Sequence, residues 1–224
     1  MPYLEELNLG HWSCRGLSLL SDHNQFDGFP LEYLHNLKIL KLYDVSQRFF
    51  QSIGTFASQL RKLHIYGSDI TDTVTWWVSK CQLLETIELF DDKEVTPVGY
   101  AQLLRSNPQL KSLGKCDCFG KVLFMLYDNA SMYRRSYANL PEHLNLEEVD
   151  TNGAMNIVEL RHLIKRCPNV KKLRFRYQRE HQEDDEHLAK LTVLDSLTQL
   201  SISCANFFEH QLFHLLEVRG DQVK

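Results

Sequence analysis

Two short clusters in this sequence carry residue types that could bind or transform something. Cys116-Asp117-Cys118 is the one close pair among six cysteines, and the run from Glu180 to His187 gathers Glu183, Asp184, Asp185 and Glu186 between two histidines, His181 and His187. A structural zinc site wants four soft or borderline ligands, commonly as two Cys-x-x-Cys or Cys/His pairs. A single Cys-x-Cys with no second pair nearby falls short of that, and ordinary packing is the reading for both cysteines. The acidic run lies between a predicted strand and the next predicted helix, where carboxylates suit a helix N-terminus and face water. Neither cluster is expected to hold a metal, and no cofactor is expected.

Catalytic patterns are missing from the sequence as well. It has no Gly-x-Ser-x-Gly elbow, no Gly-x-x-x-x-Gly-Lys phosphate loop and no His-Glu-x-x-His helix, and its ten histidines are scattered. We expect no enzyme. What remains is a surface that holds a partner, and the question becomes which elements present it.

Those elements are announced by a returning phrase, Leu-x-x-Leu-x-Leu. It stands at Leu4/Leu7/Leu9, Leu37/Leu40/Leu42, Leu60/Leu63/Ile65 and Leu84/Ile87/Leu89, and more loosely at Leu110/Leu113, Leu146/Val149, Val170/Leu173/Phe175 and Leu197/Leu200/Ile202. From Leu37 onward the units begin 23, 24, 26, 36, 24 and 27 residues apart. Repetition at this period means stacked units, each a strand followed by a helix. The last apolar positions of each phrase alternate as in a strand. Val74, Trp77, Val78 and Cys81 then fall at helical spacing, as do Ile157, Leu160, Ile164 and Cys167, and later Phe208, Leu212 and Leu215. The expected fold class is α/β: a leucine-rich-repeat solenoid, with a curved parallel sheet on the concave side and helices on the convex side. Residues 1–224 would form a single domain of about eight irregular repeats, with an insertion near 119–145. Trp77, Cys81, Leu160, Ile164, Cys167 and Leu212 should be buried between sheet and helices.

Particular residues tie these repeats to a family. Ser68-Asp69-Ile70-Thr71-Asp72 looks like a turn before a helix, and Val95-Thr96 with Gly99 like a second copy of it. Arg166-Cys167-Pro168-Asn169-Val170 leads into a strand, Ser106-Asn107-Pro108-Gln109-Leu110 is the same phrase with Asn for Cys, and Lys80-Cys81-Gln82-Leu83-Leu84 the same without Pro. In these features the chain resembles the cysteine-containing, ribonuclease-inhibitor-like leucine-rich repeats of F-box/LRR proteins. The resemblance implies the substrate-recognition repeats of an F-box-type ubiquitin ligase subunit, joined to a ligase assembly through an N-terminal F-box. The first repeat begins at Leu4, so that F-box would lie outside this chain. Met1-Pro2-Tyr3-Leu4 and Gln222-Val223-Lys224 read as repeats cut short, and a fragment truncated at both ends is expected. The alternative is a leucine-rich-repeat scaffold or inhibitor unconnected with a ligase.

Composition narrows the partner. No apolar run approaches the ~18 residues a membrane helix needs, and residues 1–20 read as a repeat rather than a leader. An intracellular protein, cytoplasmic or nuclear, is expected, with no membrane partner. Cys81 and Cys167 each precede a strand-opening apolar residue by three positions and read as small buried repeat residues rather than halves of a disulfide.

Strand alternation turns the residues between the leucines away from the core. They are Glu6 and Asn8; Ile39, Lys41 and Tyr43; Lys62, His64 and Tyr66; Thr86, Glu88 and Phe90; Ser112; Glu148 and Asp150; Lys172, Arg174 and Arg176; Gln199 and Ser201. The signs alternate from unit to unit, and the formal net charge is −4. A nucleic-acid track would need Lys and Arg along its whole length. A protein or peptide ligand of mixed charge on the concave face fits better. Lys41, Lys62, His64, Glu88, Glu148, Asp150, Lys172, Arg174 and Arg176 are candidate contacts. Tyr43, Tyr66 and Phe90 form an expected aromatic row across three units, of the kind that anchors interfaces. Tyr133, Arg134 and Arg135 in the insertion are a second candidate, since excess length in a solenoid emerges at a rim.

Overall fold

A computed structural model describes residues 3–9, 34, 36–43, 47–57, 59–67, 70–90, 94–128, 140–178, 188 and 190–203. The chain divides into two compact units, Met1–Asn107 and Pro108–Lys224.

In the first unit β1 (Glu6–Leu9), β2 (Ile39–Tyr43), β3 (Lys62–Tyr66) and β4 (Thr86–Phe90) run parallel in chain order. The repeat phrase sets the register, pairing Leu7 with Leu40, Leu40 with Leu63 and Leu63 with Ile87. A shift by one residue would turn every leucine outward, so burial holds the alignment. Leu40, Leu42, Leu63, Ile65, Ile87 and Leu89 are buried, and the residues between them are half-buried or exposed. Among the described residues three helices follow these strands: α1 (Gln47–Phe56), α2 (Asp72–Val78) and α3 (Pro97–Ser106).

The turns before α2 and α3 have a structural purpose. Thr71 caps α2 by accepting the Thr73 N–H, and Thr96 caps α3 by accepting the Val98 N–H. The Asp72 carboxylate then accepts from both the Thr96 N–H at 2.8 Å and the Thr96 hydroxyl at 2.6 Å. One helix start is thereby bolted to the next. Gly99 leaves room at the same junction, since a Cβ there would press on the Asp72 carboxylate and the Thr75 hydroxyl.

A residue shortly after each of α2, α3 and α5 is equally constrained. Cys81, Asn107 and Cys167 are all buried. The carbonyls of Cys81 and Cys167 accept from Leu84 and Val170 N–H, the first core residues of the next unit. Asn107 can stand where other units have Cys because its amide donates to the carbonyls of Ser79 and Leu103. A buried amide is tolerable only when it is paired in this way.

The second unit contains β5 (Ser112–Lys115), α4 (Phe119–Tyr127), β6 (Glu148–Met155), α5 (Ile157–Arg166), β7 (Lys172–Tyr177), a short 3-10 helix (Lys190–Val193) and β8 (Gln199–Ser203). Its strands are also parallel and in chain order. Here the ladder breaks twice, between Ser112 and Lys115 of β5 and between Asp150 and Ala154 of β6. Asp150 faces Arg174 and Ala154 faces Arg176, so β6 carries two more residues than β7 across the same stretch. Gly114, at φ 62°, lies inside the first break, in the left-handed region that favours glycine. Gly153 lies inside the second, and any side chain there would collide with the Asp117 carbonyl.

Both units are leucine-rich-repeat stacks of α/β class, as the periodicity predicts. Cys81, Cys167 and Leu160 are buried as expected. Two expectations need correction: Trp77 and Ile164 are only half-buried. In α2 the covered residues are Val74, Thr75 and Val78, so the buried stripe is centred on the side where Thr75 meets Gly99 rather than on Trp77. In α5 they are Glu159, Leu160 and Leu163, so the buried stripe lies further round the helix than the spacing of Ile157 and Ile164 suggests. Of the expected insertion, α4 fills the first part. The chain is described again from residue 140, where the Tyr127 hydroxyl donates to the Pro141 carbonyl. Tyr133, Arg134, Arg135, the acidic run from Glu180 to His187, Phe208, Leu212 and Leu215 lie outside the described residues.

Candidate functional site

Strand pairing brings the outward residues of the first unit into three rows. Glu6, Ile39, Lys62 and Thr86 form one, Asn8, Lys41, His64 and Glu88 the next, and Tyr43, Tyr66 and Phe90 the third. Parallel strands lie about 4.8 Å apart, so like side chains at one level must stack. Tyr43 and Tyr66 do so at 4.4 Å with planes 2° from parallel, and Tyr66 and Phe90 at 4.1 Å and 5°. Phe90 is 40% exposed. Burial within this stack raises the Tyr66 phenol pKa, with Tyr43 adding to the effect. Tyr66 therefore presents a neutral hydroxyl beside a flat apolar band.

Polar side chains flank the band in pairs. Lys41 reaches Glu6 at 2.8 Å, and His64 Nδ1 meets the Glu88 carboxylate at 2.7 Å. The Lys41 ammonium holds the Glu6 carboxyl below its ordinary pKa, and Glu6 in turn raises that of Lys41. The first-row Lys62 is exposed and makes no ion pair among the described residues.

The outward face of the second unit is different in kind. Lys172 lies 3.8 Å from Glu148, and Arg174 lies 3.3 Å from Asp150. Two of the three outward cations of β7 are thus paired with the neighbouring strand, and Arg176 makes no ion pair among the described residues. A hollow of about 370 Å³ opens here, lined by Glu148, Asp150, Lys172, Arg174, Gln199 and Ser201 over a floor of Val149, Leu173 and Leu200. It can take polar groups that exchange partners with the ion pairs.

Two features escape a reading of the outward positions. On α2, Trp76 is 47% exposed and packs edge-on against Trp77, and Lys80 Nζ sits 4.0 and 3.9 Å from the two ring centres. The Trp-Trp-x-x-Lys spacing, one helical turn apart, was the available signal. The second is the double break in β5 and β6, whose signal was the glycines Gly114 and Gly153. Burial pushes the thiols of Cys81 and Cys167 and the Tyr127 phenol up to about 12, which makes all three inert packing groups at neutral pH. Among the described residues no three His, Cys, Asp or Glu side chains converge as metal ligands, and no helix is long and apolar enough to cross a membrane.

No protein-family model matches the chain, and no curated protein does. Among solved structures the chain is similar to an internalin from Listeria monocytogenes, with 16% sequence identity, a TM-score of 0.47 and 83% of this chain covered. The match takes in 47% of the internalin, so the chain spans about half the length of that protein.

Proposed function

We propose that the chain is a non-enzymatic interaction module that holds a protein or peptide on the outward face of its repeat strands. The observation that carries this reading is the stacked row Tyr43–Tyr66–Phe90 beside matched charges. A flat aromatic band supplies binding energy and the adjoining Lys41, Lys62, His64 and Glu88 fix orientation, the division of labour found in protein interfaces. In the second unit Glu148, Asp150, Lys172, Arg174 and Arg176 would offer a surface of their own to a partner of mixed charge. Tyr133, Arg134 and Arg135 would add contacts from the insertion.

The finer reading is substrate recognition for an F-box-type ubiquitin ligase in the cytoplasm or nucleus, supported by the Thr71-Asp72 and Cys167-Pro168 phrases. The same face would equally serve a scaffold or inhibitor. A photoreactive residue in place of Tyr66, against one in place of the exposed Gln51 on α1, tests the site in cells. Protein adducts should form at position 66 and be absent at 51. Equal adducts from both would overturn the reading. If proteasome inhibition raises the adducts several-fold the partner is a ligase substrate, and if it leaves them unchanged the scaffold reading stands.

A further inference from the structure

The Cys116-Asp117-Cys118 segment gains a property from its backbone that spacing alone does not reveal. It is a tight turn, closed by the Phe119 N–H donating to the Cys116 carbonyl at 3.2 Å. Cys118 has φ −105° and ψ 14°, the conformation of the third residue of a type I turn. The two Sγ atoms lie 3.9 Å apart across this turn. Cys116 is 1% exposed, whereas Cys118 is half-buried and sits at the N-cap of α4.

This asymmetry is what an exchange reaction requires. One sulfur is open to a reagent and a second stands behind it, out of reach of solvent but within reach of the first. We propose that Cys116 and Cys118 are a redox-active dithiol that reacts with low-molecular-weight disulfides and closes to an intramolecular disulfide. Cys118, as thiolate, attacks a sulfur of oxidised glutathione, forming a mixed disulfide and releasing one glutathione thiolate. Cys116, as thiolate, then attacks the Cys118 sulfur, expelling the second glutathione. Two protein thiols become one disulfide, the reagent is reduced to two glutathiones, and these take up the two protons released.

Closing the pair to about 2.05 Å needs side-chain rotation rather than a new fold. The backbone around it is pinned. Cys116 N–H donates to the Asp150 carbonyl at 2.9 Å, the Asp117 carboxylate accepts from the Asn152 N–H at 3.0 Å, and Gly153 packs on the Asp117 carbonyl. A ring so small, held by a turn so fixed, is strained and easily reopened, the character of a switchable rather than a structural bond.

The experiment is equilibration of the full chain with oxidised glutathione, followed by thiol labelling and peptide mapping. Label should be lost from Cys116 and Cys118 together, with a loss of two hydrogens in mass, and should return with dithiothreitol. Cys116→Ser should stop at a glutathione adduct on Cys118 that accumulates. Cys118→Ser should leave Cys116 unmodified. A wild-type chain that keeps both labels, or that holds a lasting glutathione adduct on Cys118 while Cys116 stays reduced, would overturn the proposal.

Discussion

The outward faces of the two units rest on the same parallel-strand geometry and use it differently. In the first unit, unbroken register stacks like on like, and three aromatic rings become one band. In the second, charges of opposite sign oppose each other across β6 and β7, and the register slips beside them. Aromatic stacking needs several consecutive strands in step. An ion pair needs only two, and tolerates a bulge one residue away. The first face is thereby committed to a fixed apolar anchor, and the second to contacts that can rearrange.

The largest effect that tests this contrast comes from the glycines that shape each unit. At Gly153 an added Cβ meets backbone, the Asp117 carbonyl, which cannot swing aside. At Gly99 it meets the ends of side chains, the Asp72 carboxylate and the Thr75 hydroxyl, which can. Gly153→Ala should cost about 3 kcal/mol or more, in the tail of single-substitution effects. Gly99→Ala should cost about 1–2 kcal/mol, roughly that of one charge-assisted hydrogen bond lost at Thr96. Urea unfolding of both variants checks the order, and equal losses would show that the bulge of β6 is soft.

Next comes the response to alkali. Cys81 in the first unit and Cys167 in the second have folded pKa values near 12 against an ordinary 9. Between those values the unfolded chain has lost protons that the folded chain keeps, so stability falls as pH rises. Going from pH 8 to pH 10 should remove about 1.4 kcal/mol for each cysteine. Cys81→Ala and Cys167→Ala should each flatten that slope by one cysteine's share. Denaturant midpoints at the two pH values measure it, and a slope unaffected by either substitution would mean that the sites admit water.

How much of this was legible beforehand follows from what a period records. The leucine spacing located each of the described strands, because one buried face fixes register. The alternation within strands then gave the aromatic row, since Tyr43, Tyr66 and Phe90 each come one residue after the last core residue of their strand. The bulge in β6 left no mark on the period: Leu146 and Val170 stand 24 residues apart, as do Leu60 and Leu84. Only Asn152-Gly153 hinted at it. Trp76 was overlooked because helical spacing nominated Trp77 for burial, and nothing in the pattern records how closely α2 and α3 approach. The pairing of Lys172 and Arg174 with Glu148 and Asp150 required knowing which residues oppose each other across the strands, and a list of outward charges does not contain that.

A smaller effect separates the two faces directly. Tyr66 stacks on both neighbours, and a double-substitution cycle of Tyr43→Ala with Tyr66→Ala should give a coupling of about 0.5–1.5 kcal/mol, the range of aromatic pairs. It should persist in high salt, because stacking is not screened. A coupling indistinguishable from zero would reduce the band to a coincidence of register and remove it as the anchor of the binding face.

The smallest expected effect is the matching cycle in the second unit, Arg174→Ala with Asp150→Ala. The Arg174 side chain is 63% exposed and that of Asp150 30%, at 3.3 Å. Water screens such a pair and ordering two side chains opposes it, so the coupling should be about 0.5 kcal/mol or less, vanishing as ionic strength rises. Its weakness is what suits it to binding. An ion pair held by half a kilocalorie can open and hand Arg174 to an acidic group on a partner, whereas a pair coupled by about 2 kcal/mol would resist the exchange. A coupling of that larger size, insensitive to salt, would make the Asp150–Arg174 rung a fixed brace beside the bulge, and would confine partner contacts to the aromatic face of the first unit.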